Sequence, residues 1–121
     1  MTTIAITAES FPTQIQKDGI VFIDFWASWC GPCRAFAPIF EAAAQRHPEI
    51  TWAKVDTEAE QDLAGALEIR SIPTLMVFRD GILLFAQPGL LPAAALDELV
   101  TKVRALDMNE IRQKVTQAKV A

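Results

Sequence analysis

The sequence predicts an α/β domain, a central mixed sheet with helices on both faces. Three observations carry this. Two short apolar runs, 20–27 and 50–55, are each followed by a segment of helical spacing, as in alternating strand–helix units with parallel strands. A third run, Thr74 to Phe78, is joined to a fourth, Ile82 to Ala86, through Asp80-Gly81, a turn pair suited to a tight antiparallel hairpin. Finally, 121 residues that are 51% hydrophobic and 21% charged suffice for one domain with a core, and are too apolar for a disordered chain.

Taken in order, Thr3 to Ala5 is a short first strand. Ser10 to Lys17 is a short helix with Ser10 as its N-cap and Gly19 ending it. Ile20 to Ala27 is a nearly unbroken apolar strand, buried on both faces, with Asp24 as its only charge. A helix from Gly31 or Pro32 to His47 presents Phe36, Ile39, Phe40 and Ala43, and should bend at Pro38. Ile50 to Val55 is the next strand and Thr57 to Leu67 the next helix, its early acids suiting the helix dipole. After the hairpin, Pro92 to Ala105 sets Leu96, Leu99, Val100, Val103 and Leu106 on one stripe. Leu106, Asp107 and Glu110 then read as staple, N-cap and capping-box acid of one more short helix. Domain boundaries follow: 1–105 as the domain and 106–121 as a C-terminal helical extension, expected to cover extra apolar surface such as the Leu83/Phe85 face or to make a dimer contact, with a frayed terminus as the alternative.

Charge and composition exclude several functions. Fifteen acids against eleven bases, with no basic cluster, give no nucleic-acid footprint. No run approaches the roughly 18 apolar residues of a membrane span. The first eight residues lack the basic and apolar regions of a secretory leader.

Chemistry centres on Trp29-Cys30-Gly31-Pro32-Cys33, which holds the only two cysteines. They can pair with each other or with a partner's sulfur. One such pair is no disulfide framework, which points to a reducing, cytoplasmic setting and a working thiol pair. A zinc site fails on ligand count, because two thiols and the single His47 do not make four ligands, so no metal is expected. Cys30, set at the start of a helix, is the expected nucleophile, since a helix N-terminus favours an anion. Asp24 reads either as a buried acid with a raised pKa, fit to accept a proton, or as a strand-edge acid with its head in water.

Asp24-Phe25-Trp26-Ala27, the cysteine pentapeptide, Ala53-Lys54-Val55-Asp56, Ile69-Arg70-Ser71-Ile72-Pro73-Thr74 and Asp80-Gly81 agree in order and spacing. Together they closely resemble the thioredoxin family over roughly residues 2–105. The resemblance implies the thioredoxin fold and a general protein-disulfide reductase serving cell redox homeostasis. Cys30 would attack, Cys33 would resolve the mixed disulfide, and Asp24 would assist proton transfer. Gly31 and Pro32 would set the redox poise toward the reducing end, and Lys54 would tune the buried acid. Trp29, Ile72, Pro73 (as a cis-proline) and Gly89 would line the substrate groove, whereas Phe25, Trp26 and Trp52 are read as packing. No bound cofactor is implied; electrons would come from NADPH through a separate flavoprotein thioredoxin reductase. Partners would be that reductase and disulfide-containing proteins, with no nucleic acid and no membrane. A monomer is expected, with a dimer through the extension as the alternative. An oxidant or isomerase of an export compartment and a binding module with incidental thiols are the competing readings; replacing both cysteines by serine separates the last from a reductase. Two departures from the family pattern stand out. Glu68 occupies a common glycine position after the third helix, and Ile82 to Ala86 is apolar on both faces.

Overall fold

The computed structural model describes the backbone of residues 3–120 and the side chains of residues 3–118. Residues 1, 2 and 121, assigned above to the domain and its extension, lie outside the described residues. The elements are β1 (Ile4–Ala5), α1 (Phe11–Gln16), β2 (Ile20–Trp26), α2 (Gly31–Arg46), β3 (Thr51–Asp56), α3 (Gln61–Ala66), β4 (Thr74–Arg79), β5 (Ile82–Pro88), α4 (Ala93–Ala105) and α5 (Met108–Val120). The sheet runs β1-β3-β2-β4-β5, parallel among β1, β3 and β2, antiparallel from β2 to β4 and from β4 to β5.

Side-chain alternation along β2 divides the core. Phe22 points with Trp52, Leu75 and Val77 into a cluster closed by Phe36 and Phe40 of α2 and Leu96, Val100 and Val103 of α4. Val21, Ile23 and Phe25 point the other way, against Phe11 of α1 and the partly buried Leu63 of α3. Trp52 is locked by Phe22 and Phe40, at 4.6 and 5.2 Å between ring centroids, and its indole N–H donates to the His47 carbonyl at 3.0 Å. Helix α2 is continuous through Pro38, and His47 follows as its C-cap.

Four expectations need correction. Residues 57–60 are not helical: the Asp56 carboxylate accepts the Glu58 and Ala59 amides at 3.0 and 3.4 Å, forming a side-chain turn that delays α3 to Gln61. Ser10 stands at the N-cap of α1 without capping it, because its Oγ accepts the Thr7 amide at 3.0 Å. Leu106 leaves the α4 stripe, follows the helix as its C-cap and is exposed. The extension does not cover a Leu83/Phe85 face, because no such face exists. A register shift at Val77/Phe78 pairs Phe78 with Leu83 and Val77 with Phe85, so the two side chains lie on opposite sides of the sheet. Leu84 and Phe85 both pack on the α2/α4 cluster, while Leu83 stays 47% exposed.

The tail is nonetheless anchored. Asp107 Oδ1 accepts the Asn109 and Glu110 amides at 3.0 and 3.3 Å, Met108 is only 6% exposed, and Arg112 lies 3.6 Å from Asp80. At the hairpin, Asp80 and Gly81 have φ of 53° and 82°, the double positive-φ turn that the Asp-Gly pair favours. Glu68 also adopts positive φ, 58°, so a side chain does occupy a left-handed position there.

Candidate functional site

Strand β2 ends at Trp26, and the chain reaches α2 through Ala27, Ser28, Trp29 and Cys30. Cys30 is the N-cap of α2, with an extended backbone at φ −85° and ψ 116°. Its Sγ accepts the Cys33 amide at 3.2 Å. Pro32 lies within the first turn, where its lack of an N–H costs nothing, since helix-start amides have no intrahelical acceptor. A sulfur anion here would meet a helix N-terminus and an aimed N–H, both of which favour the thiolate. The two cysteines form a disulfide with Cα atoms 5.2 Å apart, and they are 4% and 3% exposed. A Cβ on Gly31 would find only the Arg34 guanidinium within contact, at 3.9 Å.

Opposite the disulfide, the Ile72–Pro73 peptide is cis and Cys30 Sγ lies 3.6 Å from the Ile72 carbonyl oxygen. Pro73 puts no N–H against the sulfurs. Its carbonyl accepts the Gly89 amide at 2.8 Å, which ties the loop after β5 to the site. Gly89 has φ 99°, and a Cβ there would enter open space. Trp29 is 65% exposed, its indole N–H donating to Glu58 at 2.7 Å, and Leu90 is 42% exposed. Ile72 packs against the two cysteines, and Trp29 and Leu90 leave apolar surface exposed.

Asp24 lies on β2, two residues before its end. It shares the α2 side of the sheet with Phe22, is fully buried, and neither carboxylate oxygen has a hydrogen-bond partner among the described residues. The strand-edge alternative is therefore excluded. Burial raises its pKa from 3.8 to about 6, and the Lys54 charge pulls the other way. Lys54 is the register partner of Asp24 on β3. A cavity of about 120 Å³ lies beside Cys33, lined also by Lys54, Trp26, Ser28, Arg34 and Ala37.

Two residues escaped the sequence reading as site residues. Glu58 orients Trp29 from 29 positions away, which no local pattern encodes. Trp26, read as packing, carries the Lys54 ammonium 5.1 Å above its ring centroid. Its place two residues after Asp24, with Lys54 beside that acid across the ladder, was the available signal. His47 is remote from the disulfide, hydrogen-bonded to Asp97 at 2.9 Å. Among the described residues no group of three or more His, Cys, Asp or Glu is placed to hold a metal, and no helix is long and apolar enough to cross a membrane.

The profile of the family described as thioredoxin matches residues 2–105. A Streptomyces coelicolor protein named "Putative thioredoxin 2" is 48% identical over 115 residues, covering 95% of this chain and 86% of its own. The Bacillus subtilis thioredoxin is 39% identical, over 84% of this chain and 98% of its own. Among solved structures, the Malassezia sympodialis thioredoxin Mala s 13 superposes with a TM-score of 0.74 at 29% identity, covering 83% of this chain and 89% of that one.

Proposed function

This chain belongs to the thioredoxin family and is a thiol–disulfide oxidoreductase, and from that premise we propose that its dithiol form is a general reductant of protein disulfides. The Cys30 thiolate attacks one sulfur of the target disulfide, forming a Cys30–target bond and releasing the other target sulfur as a thiolate. Asp24 takes the Cys33 proton. The Cys33 thiolate then attacks Cys30 Sγ, breaking the Cys30–target bond, releasing the captured target sulfur as a thiolate and closing the Cys30–Cys33 disulfide. Two electrons pass to the target, its two thiolates take up protons, and this chain is left oxidised.

The observation that carries the reading is the Cys33 amide donated to Cys30 Sγ at the head of α2. Gly31 and Pro32 shape that turn, and Lys54 tunes the charge of Asp24. Trp29, Ile72, Pro73 and Gly89 receive an extended target segment, whose backbone approaches the cis-proline loop as an added strand would. Residues 1–105 act as the catalytic domain and 106–121 as a helical extension of it, the chain working as a monomer in the cytoplasm. Regeneration comes from NADPH through a flavoprotein thioredoxin reductase, so the chain needs no cofactor of its own.

Turnover of insulin with NADPH and a thioredoxin reductase tests this directly. Catalytic NADPH consumption is expected, and it should vanish when both cysteines are replaced by serine. Were insulin to stay unreduced even with dithiothreitol as electron donor, and Cys30 to alkylate no faster than free cysteine near neutral pH, the assignment would fail.

A further inference from the structure

Asp24 and Lys54 are neighbours across the β2/β3 ladder, with strands about 4.8 Å apart, yet they do not pair. Both carboxylate oxygens lack a hydrogen-bond partner among the described residues, and the ammonium instead sits over the Trp26 indole, 5.1 Å from its centroid. We propose that Trp26 is a positioning residue for the proton-transfer step: its ring face holds the Lys54 ammonium near enough to act on Asp24 through space, without contacting it. The inference rests on Asp24 being the proton acceptor for Cys33.

A lysine ammonium is a strongly hydrated point charge on a flexible stem, and without a restraint it moves toward water and anions. Here both are at hand. Lys54 is half-buried and also lines a cavity of about 350 Å³ on its far side, together with Trp26, Asp56 and Glu60. Toward the sulfurs, the titratable and charged groups lining the smaller cavity with Lys54 are Cys33 and Arg34 of α2, and the Arg34 guanidinium is engaged with the Ser28 carbonyl at 2.9 Å. On β4, the register partner of Asp24 is Leu75, which is apolar. Among the described residues Lys54 is the cation whose charge acts on Asp24, and Trp26 lines both cavities with it. A cation over an aromatic face is attracted by the ring quadrupole, and more strongly by indole than by benzene. Removing the ring would let the ammonium swing toward Asp56 and Glu60, leaving Asp24 without its cation.

The test is a double-mutant cycle read on the Asp24 carboxyl by NMR titration of the oxidised protein. Trp26→Leu is compared with wild type, and the same replacement is repeated in the Lys54→Met background, which subtracts any change in hydration. With Lys54 present, the replacement should raise the Asp24 midpoint relative to its effect in the Lys54→Met background, by at least half of what Lys54→Met alone produces. The pH profile of insulin reduction should move in the same direction. Trp26→Phe, which keeps a weaker ring and the fold, should give a smaller effect of the same sign. Equal effects in the two backgrounds, or a relative fall, would overturn the positioning role. The proton role is judged separately: if Asp24→Asn reduces insulin as fast as wild type at neutral pH, that reading fails whatever the titration shows.

Discussion

Asp24 should make the protein less stable than it need be, by an amount that depends on pH. Raising a buried carboxyl from 3.8 to about 6 is worth about 3 kcal/mol of differential interaction. The folded chain holds the proton more tightly than the unfolded one. Below pH 3.8 the acid is protonated in both states and costs nothing. As pH rises toward 6 the unfolded chain gains ionisation that the folded chain resists, so stability falls. About half of the loss has developed by pH 5, and above the folded value it is complete.

Replacing Asp24 by Asn keeps the shape and removes the titration, so the difference between the two proteins isolates this term. The Asn amide brings its own unpaired polar atoms, a cost independent of pH that shifts the whole difference curve without bending it. Guanidinium unfolding of the oxidised proteins from pH 4 to 8 is the assay. The variant should gain about 2.4 kcal/mol on wild type between the two ends, roughly 10 °C in melting temperature for a chain of this size. A difference that stays flat over that range would refute the account of Asp24 as buried and unpartnered.

Three further outcomes are expected. Cys33→Ser, incubated with an oxidised protein target, should accumulate a covalent adduct at Cys30 by mass spectrometry, since nothing remains to displace the captured sulfur; recovery of free target thiol instead would remove Cys33 from the resolving role. Gly89→Val should cost about 1 kcal/mol, because φ is 99° and a β-branched residue is poorly suited there; it should raise KM for insulin far more than for a small disulfide, as its side chain enters the open space above Pro73. Met108→Ala should lower stability by about 2 kcal/mol while leaving insulin reduction unchanged, since Met108 is buried but lies outside the site; no change in the denaturation midpoint would mean that α5 adds nothing to the core.

Where a contact is local, the residues announce it. The Asp-Gly pair specifies a turn whose φ values are 53° and 82°, Asp107 caps the helix that begins one residue later, and an apolar run containing one acid becomes a buried central strand. Glu68 at a positive φ is not announced by its own side chain; only the glycine common at this place in the family pointed to a special helix end. Legibility ends where a side chain competes with the backbone pattern or where partners are distant. Asp56 takes the amides that would have begun a helix at Thr57. The bulge in β5 depends on how Leu84 and Phe85 fit against α2 and α4, which no alternation within the strand reveals. Glu58 and Trp26 became visible as site residues only once the chain had folded, because each acts through a partner on another element.

The attacking sulfur and the proposed proton acceptor are tuned by opposite means. Cys30 gains from helix-start donors, which stabilise its anion; Asp24 has no donor among the described residues, and its burial destabilises its own. A carboxyl with three or four ordinary hydrogen bonds would stay ionised well below neutrality and be too weak a base to draw a proton from a thiol. Stripping those bonds away moves it toward the range where such a transfer is feasible, and the cost, about 3 kcal/mol at neutral pH, is a sizeable share of the 5–15 kcal/mol that holds a typical domain together. Lys54 limits that cost without cancelling it, provided that its ammonium is kept from contact. An ion pair would return Asp24 to the usual carboxylate range, and a lysine lost to water would push it higher still. On this reasoning the indole of Trp26 belongs with the reaction as much as with the core, and Trp26→Leu should change how the rate depends on pH even where it leaves the fold intact.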